Sequence, residues 1–129
     1  MNINRLRKSF SYALGGLSYV IKHEQNFRIQ LFCAFLVLLC ALFFRIRSLE
    51  FILLCGAVAM VLILEIINTA IERSLDIVKP RLSEQVKMVK DIMAGAVLIA
   101  SIFALILAIF IFWPHFALKL SDLSIHGTL

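Results

Sequence analysis

Residues Phe51 to Asp76 read FILLCGAVAMVLILEIINTAIERSLD, and the length of this stretch decides the fold. A helix that crosses a bilayer core of ~30 Å needs roughly 20 residues at ~1.5 Å each. The charge-free part, Phe51 to Leu64, has 14 residues, so the segment spans only if its helix continues through Glu65 to Ile71. Glu65 then becomes an acid inside the membrane. On a helix turning ~100° per residue, Glu65, Asn68, Thr69, Glu72 and Asp76 stand at i, i+3, i+4, i+7 and i+11 and form one stripe. From a start near Phe51, Glu65 lies ~21 Å along the axis and Glu72 ~31 Å, so the stripe runs from within one leaflet to the headgroup plane.

Two more charge-free stretches flank this one: Ile29 to Phe44, 16 residues, and Ile92 to Trp113, 22 residues. The last is long enough to span by itself. The first borrows Phe27 and a snorkelling Arg28 at one end and Arg45 with Arg47 at the other. The spans are therefore expected at 29–49, 51–71 and 92–113. Composition agrees: of 129 residues 62% are hydrophobic and 16% charged, with a mean hydropathy of +0.98. That balance excludes a soluble or secreted enzyme and an intrinsically disordered chain. Three cysteines are too few, and odd in number, for a disulfide scaffold.

The 13 Lys and Arg outnumber the 8 Asp and Glu, yet in so apolar a chain the excess belongs to loops on one side of a membrane rather than to nucleic-acid binding. Three crossings place ten of these cations, from Arg5 to Arg28 and from Arg73 to Lys90, on one side, and Arg45, Arg47 and Lys119 on the other. The N-terminus and the 72–91 segment are thus expected in the cytoplasm. Residues 1–28 carry too many charges for a cleavable signal peptide. Leu6, Phe10, Ala13, Leu17, Val20 and Ile21 recur at helical spacing with Arg5, Lys8, Ser11, Tyr12 and Ser18 between them, which predicts an amphipathic helix in the interface. The whole chain, 1–129, reads as a single all-α membrane domain, with a 115–129 tail set off by Pro114. Ala96, Ala100, Ala104 and Ala108 form a small-residue stripe for close helix packing.

A carboxylate buried in lipid costs several kcal/mol unless it is paired, coordinated or protonated, so Glu65 is a candidate functional acid. Carboxylates converging at a membrane surface suit a hard divalent cation such as Mg²⁺, which takes one or two protein carboxylates plus water and phosphate oxygens. Glu65, Asn68, Glu72 and Asp76, with Glu24 before the first span and Lys90-Asp91 before the third, supply such a set beside a cation for phosphate. Phosphoryl transfer needs that charge neutralisation, in-line positioning and a base. No Walker A motif or kinase glycine-rich loop occurs, so a kinase here is built from helices. The alternatives are a proton-coupled transporter or channel subunit with Glu65 as its proton site, and a structural assembly subunit. The first leaves Glu24, Glu72, Asp76 and Lys90 without a task; the second explains no polar residue.

The arrangement Lys8-Ser9-Phe10, Gly16-Leu17, Glu24 with Asn26-Phe27-Arg28, Glu65-Ile66-Ile67-Asn68-Thr69-Ala70-Ile71-Glu72 with Asp76, and Lys90-Asp91 before Ala94-Gly95-Ala96-Val97-Leu98 resembles the prokaryotic diacylglycerol kinase family, undecaprenol kinases included. The resemblance covers about residues 5–114. It implies a homotrimeric bundle of three-span subunits, each with an N-terminal surface helix, in the bacterial cytoplasmic (inner) membrane. Its active sites would face the cytoplasm, shared between subunits. It implies an ATP- and Mg²⁺-dependent kinase acting on a membrane lipid alcohol. Residue by residue, it implies Glu65 as general base with Asn68 beside the reacting hydroxyl, Glu24 and Glu72 on the metal, and Lys90 on the phosphates. Asp76 and Asp91 match acids on the nucleotide side, and Arg5 and Tyr12 match more variable nucleotide contacts. Gln30 stands where many members have an acid or histidine, Leu14 where the diacylglycerol branch has tryptophan, and Arg81-Leu82-Ser83 where a histidine is usual. The Lys-Ser-Phe opening, Asn-Thr in place of Asn-Ser, the absent tryptophan and the Phe112-Trp113-Pro114 close lie nearer the undecaprenol kinases than the diacylglycerol kinases.

Overall fold

The computed structural model describes residues 2–78 and 84–126, except for the side chains of Val78 and 121–126. The departure at Arg81-Leu82-Ser83 lies outside the described residues. The chain forms four helices: α1 (Ile3–His23), α2 (Gln25–Phe44), α3 (Ser48–Val78) and α4 (Glu84–His126). Three of them, over Gln25–Phe44, Ser48–Ile77 and Glu84–Leu120, are long and apolar enough to cross a membrane. α3 and α4 pack together, α2 packs on both, and α1 rests on α2.

α1 ends earlier than residue 28. Glu24 adopts an extended conformation (φ −103°, ψ 115°) and separates α1 from α2 by a single residue. The last carbonyls of a helix need donors. Here Arg28 turns back and its guanidinium donates to the carbonyls of Ile21 (3.2 Å) and Lys22 (3.0 Å). Phe27, in the first turn of α2, is buried, as is Val20 near the end of α1. Apolar packing thus grips both sides of the Glu24 break.

α2 stops in a Schellman motif: Arg45 takes the left-handed conformation (φ 50°, ψ 49°), its N–H bonds the Leu42 carbonyl at 3.3 Å, and the Ile46 N–H bonds that of Ala41 at 3.3 Å. α3 then starts under a side-chain cap, the Glu50 carboxylate accepting the Arg47 N–H at 2.9 Å. Its buried positions are Leu54, Ala57, Val61, Glu65, Asn68 and Thr69. The stripe that is apolar through Val61 turns polar at Glu65 without leaving the face packed against the other helices.

α4 continues through Pro114, so the tail expected from residue 115 extends the third span's helix to His126. Proline removes the helix hydrogen bond that would reach the Phe110 carbonyl. His115 Nδ1 lies 2.9 Å from the Ile111 carbonyl, while its Nε2 faces Glu50 of α3 at 3.5 Å. At this end Ala41, Leu54 and Ile111, one from each span, form a core with Val37, Leu107 and Phe112 around it. Of the alanine stripe, Ala100 is buried and the other three are half-buried. The outer face of the bundle is lined by large exposed apolar side chains such as Phe32, Phe35, Ile99, Phe103 and Phe110.

Candidate functional site

At the other end of the bundle the second half of α3 meets the α1–α2 junction and the start of α4. Glu65 is 3% exposed, Asn68 7% and Thr69 4%. These polar groups are as deeply buried as the apolar core, a placement that hydrogen bonds or a ligand must compensate. Gln30, from α2, donates its Nε2 to Glu65 Oε2 at 3.4 Å. Asn68 donates its Nδ2 to Glu72 Oε1 at 3.1 Å, one turn further along α3. Each amide leaves its oxygen buried with no hydrogen-bond partner: Gln30 Oε1 and Asn68 Oδ1. One of these unsatisfied acceptors belongs to the amide that holds Glu65 and the other to the amide that holds Glu72, so each has room for a donor or a cation.

The headgroup end of the stripe carries charge. Glu24, presented by its extended break, pairs with Arg73 at 2.8 Å. Arg73 also lies over the Tyr19 ring, 5.6 Å from its centroid, and Tyr19 stacks on His23 at 4.2 Å. Asp76 pairs with Lys90 at 2.6 Å, linking α3 to the first turns of α4. Glu72 and Glu24 both lie within electrostatic reach of Glu65. The fold thus gathers Glu65, Asn68 and Glu72 on one face of α3, brings Glu24 to it through Arg73, and sets Asp76 and Lys90 side by side. Asp91 is exposed and lines a separate shallow cleft of about 500 Å³ with Glu84, Lys87 and Met88. Arg5 is exposed and Tyr12 is 76% exposed, both on α1.

Two contributors escape a pattern-based search. Gln30 carries no charge; the family pattern marks it as a departure, but nothing in the periodicity says that its amide reaches Glu65. Arg73 lies off the stripe, and its bond to Glu24 joins residues 49 apart, which leaves no periodic trace. Among the described residues no three His, Cys, Asp or Glu side chains gather into a metal cluster. The donors present do fit a hard cation that needs few protein ligands: the Glu24 and Glu72 carboxylates and the unpartnered Asn68 amide oxygen, all oxygen donors.

Residues 11–112 match the family model described as prokaryotic diacylglycerol kinase. The chain is 38% identical over 99 residues to a diacylglycerol kinase of Synechocystis sp., covering 76% of this chain and 57% of that protein. It is 30% identical over 112 residues to an undecaprenol kinase of Bacillus subtilis, covering 87% and 91% of the two chains. To a diacylglycerol kinase of Escherichia coli K12 it is 32% identical over 112 residues, 87% and 92% of the two. With three membrane-length helices, a buried acid on the second and a match across most of its length, the chain belongs to the prokaryotic diacylglycerol kinase family, a family of membrane lipid kinases.

Proposed function

We propose that this protein transfers the γ-phosphoryl group of ATP to the hydroxyl of a membrane lipid alcohol, undecaprenol in preference to diacylglycerol. It works as a homotrimer in the bacterial cytoplasmic membrane, with its N-terminus and the Glu72 end of α3 facing the cytoplasm. The observation that carries this reading is Glu65: a carboxylate 3% exposed in a membrane helix, bonded by the Gln30 amide, with Asn68 one turn further along the same face holding Glu72. A lipid hydroxyl reaches such a site through the bilayer, while phosphates approach from the headgroup end.

In this reading Glu65 accepts the hydroxyl proton as the lipid oxygen attacks the γ-phosphorus and the bond from phosphorus to the β-bridging oxygen breaks, leaving ADP. Asn68 orients the alcohol, held in place by its own bond to Glu72. Lys90, 2.6 Å from Asp76, exchanges that partner for phosphate oxygens. Glu24 and Glu72 are the residues to hold Mg²⁺, whose contribution is to neutralise charge on the phosphate oxygens. For Glu24 this requires release from Arg73. The preference for undecaprenol is supported by Thr69 after Asn68, by Leu14 in place of tryptophan and by the Phe112-Trp113-Pro114 close.

The test is magnesium-dependent ATP turnover by the purified protein in detergent, with undecaprenol, with diacylglycerol and with neither. The reading predicts ADP and lipid phosphate in equal amounts, faster with undecaprenol. No lipid-dependent turnover with either alcohol would reject it in favour of a proton-site role for Glu65.

A further inference from the structure

At the membrane end opposite Glu65, a cleft of about 700 Å³ opens between the α2–α3 turn and α4. Phe43 and Phe44 form an apolar wall, and Arg45, His115 and Lys119 stand around its polar mouth. The Lys119 ammonium lies 3.5 Å from the centroid of the Phe43 ring and 5.4 Å from that of Phe44. Its stem is laid on aromatic surface and its charge is held in position. Arg45 is the one non-glycine residue with positive φ among the described residues. Glycine fills this cap position at no steric cost, so an arginine here gives up stability to place a guanidinium at the cleft.

The local charge is out of balance. Glu50 is already engaged, by the Arg47 N–H at 2.9 Å and by His115 Nε2 at 3.5 Å. His115 Nδ1 lies 2.9 Å from the Ile111 carbonyl, so the ring is held between α4's own backbone and Glu50. Among the described side chains Arg45, Arg47 and Lys119 have no carboxylate partner, and the only other acid in this part of the sequence is Asp122. An apolar wall of Phe43 and Phe44 beside cations that have no carboxylate partner among the described side chains has the chemistry of a lipid phosphate site.

We infer that this cleft binds an anionic phospholipid, its phosphodiester held by Arg45 and Lys119 and its chains lying against Phe43 and Phe44. The site is remote from the phosphoryl-transfer residues and independent of the activity proposed above. The competing view is that these cations are snorkelling anchors indifferent to lipid charge.

The test is the thermal midpoint of the full-length protein in detergent, titrated with phosphatidylglycerol, phosphatidylcholine or inorganic phosphate. Phosphatidylglycerol should raise the midpoint saturably, and the other two should not at equal concentration. Affinity for phosphatidylglycerol should fall roughly fivefold in Lys119→Gln and roughly 30-fold in Arg45→Gly with Lys119→Gln, since each interfacial cation contributes to lipid binding about equally. Arg45→Gly is the decisive single variant because it relieves left-handed strain. It should melt higher than wild type without lipid and still bind phosphatidylglycerol roughly fivefold more weakly. An equal response to phosphatidylcholine, a response to inorganic phosphate matching that to the lipid, or undiminished affinity in Arg45→Gly would each overturn the inference.

Discussion

Glu65, Asn68 and Glu72, the base and neighbours proposed above, are spaced for one helix face, so a sequence that specifies the helix also specifies their convergence. This part of the site was legible because its spacing is local. The partners that hold it were not: Gln30 reaches Glu65 from another helix, and Arg73 reaches Glu24 across the α1–α2 break. Such contacts depend on packing, which periodicity does not encode. Lys90, paired with Asp76, separates a phosphate ligand from a membrane anchor. An anchor needs only a long stem with a positive charge, so Lys90→Arg would be nearly silent. As a phosphate ligand, Lys90 should lose kcat/KM for ATP on replacement by Arg, and by at least about 30-fold, or ~2 kcal/mol, on replacement by Ala. Steady-state kinetics at fixed lipid check this. Glu24→Gln and Glu72→Gln should each raise the magnesium concentration needed for half-maximal rate, because each removes one of few charged ligands. Unchanged magnesium titrations would argue against a shared metal.

Helices were easier to read than their ends. The charge-free stretches marked three spans because lipid demands uninterrupted apolar length. The break at Glu24 and the passage of α4 through Pro114 were hidden, the first because it depends on Arg28 reaching back to cap α1, which local periodicity does not encode. A proline inside a helix is up to ~3 kcal/mol less favourable than alanine. Pro114→Ala should therefore raise the thermal midpoint, and a fall would show that the chain needs a bend there. α1 packs on α2, with Arg73 as its tie to α3 through Glu24 and Tyr19. Arg73→Ala should accelerate amide exchange along α1 while leaving the buried half of α3 protected. Equal exchange in wild type and Arg73→Ala would mean that packing around Val20 and Phe27 suffices to hold α1.

At the scale of the whole molecule, one chain places an acid and two unsatisfied amide oxygens in the bilayer, and paired charges at the headgroup end a few turns away. In the proposed reaction that gradient brings a lipid alcohol in the bilayer to a phosphate donor at the headgroup end. The apolar residues lining the outer face are surface for lipid chains, and in the proposed trimer part of that surface would be covered by other subunits. The most direct test of the account compares wild type with Glu65→Gln, following lipid phosphate formation at saturating ATP together with nucleotide affinity in the absence of lipid. In Glu65→Gln, lipid phosphorylation should be at least ~10²-fold slower, the lower range for a positioned base, with nucleotide affinity and fold preserved. Near-normal lipid phosphorylation by Glu65→Gln would contradict it.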